Sequence, residues 1–340
     1  MKPEPFRIEP KFHHRIWGER TLAPIYPDKT GLAERIGEVW LTDVNCVVAG
    51  GPFAGKTFGE AWQQMPPEWR GAGCRSGEQF PLLVKLIFPA DKLSIQVHPD
   101  DVYASVHEAA AGGRGKTEMW HVVSAQPRAT LLAGLKPGVG KDSFLAAIAD
   151  RKVESLLQSH EVRAGDTFYL PAGTPHTVGP NMVLCEVQQY SDLTYRVYDY
   201  DRKDGRGTPR ALHIQKAMDV IRFGVEQSTR ATPETIERDG VLISTLVESP
   251  YFEVKKWEMA HLEKLHFNFG DRGLGKGRFA IMVILEGEGS LTWSSLQGND
   301  EFSLNFKRGE CWFVPAETVH GCSVYPNGKV SLLLASVASA

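Results

Sequence analysis

The run Arg163-Ala-Gly165-Asp-Thr-Phe-Tyr-Leu-Pro171-Ala-Gly173-Thr-Pro-His176 carries a histidine just past a short apolar strand and a Pro/Gly turn. Upstream, Lys92-Leu-Ser-Ile-Gln-Val-His98 alternates strictly. In a β-strand successive side chains point to opposite faces, so Lys92, Ser94, Gln96 and His98 share one face and Leu93, Ile95 and Val97 the other. Between the two stretches, Gly115-Lys116-Thr117-Glu118-Met119-Trp120 places a carboxylate at the head of a strand running to Val123. A single histidine in such a place is ordinarily a hydrogen-bonded structural residue. Two neutral imidazoles and a carboxylate on neighbouring strands, with Gln96 as a fourth oxygen donor, instead make a catalytic zinc set that leaves room for water or substrate. Spacing alone does not separate zinc from iron.

The spacing Gly165, Pro171, Gly173, His176 resembles the second signature of the cupin superfamily, whose small β-barrel carries its metal inside. The first cupin signature is met in part: Gln96 stands where a histidine is common, and the carboxylate arrives later than usual. That departure, together with Ser94-Ile-Gln-Val-His-Pro-Asp-Asp101, Gly115-Lys-Thr-Glu-Met-Trp120 and Pro171-Ala-Gly-Thr-Pro-His176, is similar to the zinc motifs of the type I mannose-6-phosphate isomerases, or phosphomannose isomerases. Arg15-Ile-Trp17-Gly18 and Ile36-Gly37-Glu38-Val-Trp40 resemble that family's amino-terminal signature, and Leu193-Thr-Tyr-Arg196-Val-Tyr-Asp-Tyr200 its active-site arginine segment. The resemblance covers most of residues 12 to 210.

The 340 residues, 42% of them hydrophobic, favour more than one domain. A net charge of -3, without charge runs or a basic surface stretch interleaved with aromatics, argues against nucleic acid and anionic membrane as partners. No apolar run approaches bilayer length and the start lacks a signal-peptide pattern, so the expected compartment is cytoplasmic. Five scattered cysteines without a C-x-x-C pair read as reduced thiols; Cys185, beside Glu186 on a strand, should point to the opposite face.

Along the chain the reading is mainly β, with a small helical portion. Thr57 to Gln64 reads as a short helix stopped by Pro66-Pro67, and Asp100 to Ala111 as one ended by Gly112-Gly113. The latter is an insertion that explains the late carboxylate. Further helical insertions are expected over about 142–158, with Asp142 as cap, and 210–223. Lys85 interrupts an otherwise apolar strand, Pro81 to Phe88, which is costly unless its ammonium meets water, an ion pair or an anion. The stretch Thr229 to Asp239, polar and read as poor in β structure, is the expected boundary between residues 1–230 and 231–340. Beyond it, Lys307-Arg-Gly-Glu-Cys-Trp-Phe-Val-Pro-Ala-Glu-Thr-Val-His320 repeats the form of Arg163 to His176, displaced by 144 positions, with five of fourteen residues identical. Two cupin, or jelly-roll, barrels are therefore expected. The second copy lacks a ligand-bearing front half, since Phe279 to Leu285 carries none, so His320 reads as a structural relic and one metal per chain is expected.

The family resemblance implies zinc held by Gln96, His98, Glu118 and His176, an active-site arginine at Arg196, and Lys116 and Glu186 as proton-transfer groups. It implies further that Arg202 meets phosphate; Ser94 and Lys85 are added as substrate-binding groups from their places on the ligand-facing strands. The expected activity is isomerisation of mannose 6-phosphate and fructose 6-phosphate through a cis-enediol. Open alternatives are an isomerase of the same fold acting on another sugar, a metal-bearing sugar-phosphate sensor without turnover, and an iron-dependent oxygenase. The chain is read as a monomer or homodimer.

Overall fold

The computed structural model describes residues 2–74, 77–203, 207–225, 227–259, 267–268, 277–294 and 301–338. It is mainly β and contains the two expected barrels. In the first, a six-stranded antiparallel sheet (Lys11–Glu19, Ile36–Trp40, Leu82–Ile87, Met182–Gln189, Glu118–Ala125, Thr167–Leu170) faces a five-stranded one (Tyr195–Tyr198, Ile95–Val97, His176–Val178, Thr130–Leu135, Leu157–Glu161). The second barrel joins a seven-stranded sheet to a four-stranded sheet made of Phe267–Asn268, Cys322–Pro326, Glu288–Ser294 and Glu301–Lys307. At one edge of the seven-stranded sheet lies the amino-terminal strand Phe6–Ile8, which pairs with Cys311–Val314 and so crosses the boundary expected near residue 230.

Alternation explains the strands. Phe168 and Leu170 bury on one side of Thr167–Leu170 with Trp120, Val122 and Leu184, in one core cluster of the first barrel. A separate core of Phe6, Phe58, Trp62, Phe80, Phe279 and Phe313 welds the amino-terminal segment to the second barrel. Its rings pack at separations such as 4.7 Å for Phe58 and Phe80 and 5.1 Å for Phe6 and Phe313.

The early helices form as read. Phe58–Gln64 opens with a capping box: Glu60 N donates to Thr57 Oγ1 at 3.2 Å and Thr57 N to Glu60 Oε2 at 2.9 Å. Asp101–His107 is capped by Asp100, and the left-handed Gly112 ends the turn that follows.

Three expectations need correction. The helix expected over 142–158 stops at Ala149 and starts at Lys141, with Gly140, not Asp142, as its cap; the Gly140 N–H donates to Ser143 Oγ at 3.1 Å. A left-handed Arg151 then turns the chain, and Leu157–Glu161 pairs with Thr130–Leu135 as a strand. The helix expected over 210–223 is only Ile214–Val220. Its first residues are held extended against a strand, because His213 N donates to Arg196 O at 2.8 Å and Arg196 N to His213 Nδ1 at 3.2 Å. Finally, the polar stretch before residue 240 contains a strand, Glu234–Arg238, folded on Val241–Glu248 through a two-residue turn, Asp239-Gly240, with both φ positive. Such an Asp-Gly turn matches the twist of a hairpin, and that local signal outweighs the polar composition of an edge strand.

Candidate metal centre and active site

Pairing in the first barrel brings the three ligand stretches to one point. His176 sits opposite Gln96, which sits opposite Arg196 on its other side. Across the barrel, Glu118 leads its strand, and Glu186 and Lys85 are direct cross-strand partners.

The ligating atoms of His98, Glu118 and His176 lie within 4.8 Å of one another, and all three residues are buried. Among the described residues this is the one His/Cys/Asp/Glu group of that kind. The side chain of His320 lies outside the described residues. His98 Nδ1 donates to Leu193 O at 2.7 Å and His176 Nδ1 to Thr174 O at 2.8 Å. Each ring is thereby fixed in the tautomer that leaves the Nε2 lone pair facing inward. Burial first, then the Lys116 charge, hold both imidazoles neutral: His98 falls well below its ordinary value and His176 to about 4.

Glu118 is fully buried, 3.2 Å from His176 Nε2 and 3.5 Å from His98 Nε2. Its Oε2 is 2.7 Å from Lys116 Nζ, yet neither oxygen accepts a well-directed hydrogen bond. A buried carboxylate left in that condition is costly, and a cation among these atoms relieves it. The Gln96 amide, 3.3 Å from His176 Nε2, can present its oxygen to the same point. Two imidazoles, a carboxylate and an amide oxygen fit a divalent ion with a position to spare.

Above this centre opens a cleft of roughly 340 Å³ lined by Lys85, Ser94, Gln96, Lys116, Glu186 and Arg196, all expected as site residues. Trp120 Nε1 donates to Glu186 Oε1 at 2.9 Å, and Lys85 Nζ stands 3.6 Å from Glu186 Oε2 and 3.3 Å from Asp192 Oδ1. Burial and the Glu118 charge push the Glu186 carboxyl up, with Lys116 and Lys85 opposing. Burial alone would lower the Lys85 pKa, but Asp192, Glu186 and Glu38 more than offset it, and the ammonium stays charged. Lys85 thus has the ion-pair partners that its place in an apolar strand required.

Arg202 is placed elsewhere. Its guanidinium bonds Asp199 at 2.6 Å and the Lys92 carbonyl, lies over the Tyr200 ring, and does not line the cleft. Arg210 lines it instead, with Arg15, Trp17, Glu38, Asp192 and His213. Of these, Glu38 had a legible signal: in Ile36-Gly-Glu-Val-Trp40 it shares a strand face with Trp40, whose Nε1 donates to it at 2.7 Å. Arg15 adds a second bond at 2.7 Å. Arg210 and His213 were hidden by the helical reading of their segment.

Comparison with known proteins agrees with this geometry. The sequence model described as "Phosphomannose isomerase type I, catalytic domain" matches residues 5–119. The chain is 34% identical over 321 residues to mannose-6-phosphate isomerase ManA of Bacillus subtilis, covering 93% of this chain and 94% of that protein. It is 35% identical over 316 residues to the mannose-6-phosphate isomerase of Streptococcus mutans, covering 92% of each. Among solved structures, the mannose 6-phosphate isomerase from Bacillus subtilis superposes with a TM-score of 0.84 at 31% identity, covering 97% of this chain and 99% of the other.

Proposed function

The chain belongs to the type I phosphomannose isomerase family, and on that premise we propose that its first barrel interconverts mannose 6-phosphate and fructose 6-phosphate through a cis-enediol, with one zinc ion per chain held by Gln96, His98, Glu118 and His176. The observation that carries this reading is the unsatisfied, buried Glu118 between two tautomer-fixed histidines at the floor of a cleft lined by basic and acidic side chains. Zinc at that point supplies a Lewis acid that polarises sugar oxygens without changing oxidation state.

The chain's own residues supply the rest. Isomerisation moves one proton between C1 and C2, so it needs a group that can both accept and donate beside the sugar. Lys116 and Glu186, both lining the cleft, meet that need. Lys116 reaches in beside Glu118, and Glu186 is oriented by Trp120 and shielded from water. Arg196, always charged and half-buried, faces the cleft as an anchor for developing oxyanion or phosphate. Lys85, tied to Glu186 and Asp192, sets the charge around the proton-transfer group. The experiment is incubation of the metal-loaded protein with mannose 6-phosphate while fructose 6-phosphate is followed through a coupled assay. Formation of the ketose phosphate is expected; a folded, zinc-loaded protein that forms none contradicts the proposal.

A further inference from the structure

Around the outer end of the cleft three guanidiniums, Arg196, Arg202 and Arg210, gather where the sequence showed no charge run. Two carboxylates face them. Asp199 bonds Arg202 at 2.6 Å and Arg210 Nε at 2.7 Å, and Asp91 stands 3.7 Å from Arg202 only. Arg202 is consumed by this arrangement. With Asp199, the Lys92 carbonyl and the Tyr200 ring it fastens a turn in which Tyr200 and Asp201 both hold left-handed φ. Two successive non-glycine residues in that region are strained, and such a turn persists only where its surroundings hold it.

Arg196 has no carboxylate of its own among the described residues. Its NH1 donates to the Ala211 carbonyl at 3.1 Å, and its Nε is buried without an acceptor. Arg210 is fixed by Asp199 along one edge and lines the cleft beside it. His213 completes the group: its Nδ1 accepts from Arg196 N, which places its proton on Nε2, and no described residue takes that proton. Burial, then the Arg196 and Lys216 charges, keep this ring neutral, so it acts as a fixed donor. Ser94 lines the same cleft.

We infer that the phosphate group of the substrate is held by Arg196, Arg210 and the Nε2 hydrogen of His213, and that Arg202 serves the turn and not the ligand. Guanidiniums brought together with one of them unpaired disfavour one another, and a dianion with three acceptor oxygens is the chemical class that satisfies them. This rests on the sugar-phosphate reading of the cleft. It goes beyond it in naming Arg210 and His213, which lie outside the family motifs, and in taking Arg202 off the phosphate.

The test uses inorganic phosphate on the zinc-loaded full chain, read as protection against thermal unfolding, which needs no turnover. Phosphate is expected to protect the unsubstituted protein. Arg210→Ala and His213→Gln each should raise the concentration needed by about 10- to 100-fold, the loss of one charge-assisted or oriented bond. Arg210→Lys, which keeps the charge and loses the fork to Asp199, should fall between. Arg202→Ala should lower the melting temperature and leave the phosphate concentration within about twofold, since its bonds are to the turn. Wild-type affinity in Arg210→Ala, loss of protection in Arg202→Ala alone, or no protection of the unsubstituted protein would each overturn the assignment. Protection by phosphate together with absent turnover of mannose 6-phosphate would leave this site standing and remove the isomerase reading.

Discussion

Lys116 is the residue on which catalysis and metal binding come closest. Its ammonium is 3.1 Å from His98 Nε2 and 2.7 Å from Glu118 Oε2, so it touches two of the proposed zinc ligands. Lys116→Met keeps the length of the side chain and removes the charge and the proton. Turnover should fall about 10³-fold, within the range expected for one acid-base group, while metal content stays at the wild-type level. Unchanged turnover would remove Lys116 from the mechanism. At this scale the sequence was unusually informative. Alternation alone grouped Gln96 with His98 and Lys116 with Glu118. The strands themselves are shorter, Ile95–Val97 and Glu118–Ala125, with His98 and Lys116 just outside them. Yet Gln96 and Lys116 line the cleft, and His98 and Glu118 meet at its base. Arg210 and His213 escaped because a side-chain pattern that fits a helix says nothing of a strand that competes for its first residues. The bonds between His213 and Arg196 are long-range, and no local propensity encodes them.

Among the elements, the strand Leu82–Ile87 shows how a charge survives in a buried sheet. Every residue of it is buried, Lys85 included. Its ammonium sits over the Trp40 ring at 4.8 Å and between Glu186 and Asp192. Lys85→Met should therefore not stabilise the strand by adding apolar surface. It leaves the buried Glu186 without its ion-pair partner, while Glu38 keeps Arg15, and removing one member of a buried ionic group costs about 3 kcal/mol. Urea unfolding at pH 7 should show that loss, and adding Glu186→Gln should recover part of it. A Lys85→Met protein as stable as wild type would contradict this account. The same scale shows where pattern misled. Val153, Leu156 and Leu157 fit a helical stripe, yet a left-handed Arg151 turns the chain out of the helix before them, and they fall in a short 3-10 turn and a strand. The hydrophobic positions are buried or partly buried either way, so burial could not have distinguished the two.

For the whole molecule, we propose that residues 1–230 and 231–340 form the catalytic cupin and a second cupin without a complete metal site. The amino-terminal strand clasps the latter. Arg7 NH1 meets Glu310 Oε1 at 2.8 Å and Tyr26 OH donates to Gly309 O at 3.1 Å. The repeat of the histidine turn was legible because both barrels need the same glycine and proline at the same bend; the clasp was not, because it joins residues about 300 positions apart. At this junction His121, on the first barrel, is buried with Lys256 of the second barrel and Asp166 as its charged neighbours. Burial, then Lys256, lower its pKa to about 3, with Asp166 opposing. Between pH 6.5 and 3 the unfolded chain binds a proton there that the folded chain refuses, so stability falls as pH falls through that window. From pH 6.5 to 5 this one group should cost about 2 kcal/mol, and His121→Gln should remove that part of the slope in urea titrations. An unchanged slope would show that His121 is accessible to protons in the folded protein.

The claim that everything else depends on is that one metal ion, held by His98, Glu118 and His176 in the first barrel, is needed to isomerise mannose 6-phosphate. Its most direct test is to strip the protein with a chelator and add zinc back in measured portions while following fructose 6-phosphate. Activity should be absent at the start, rise in proportion to zinc, and break at one equivalent per chain; Glu118→Gln should show no such rise. Turnover by the stripped protein, a break at two equivalents, or full activity in Glu118→Gln would contradict it.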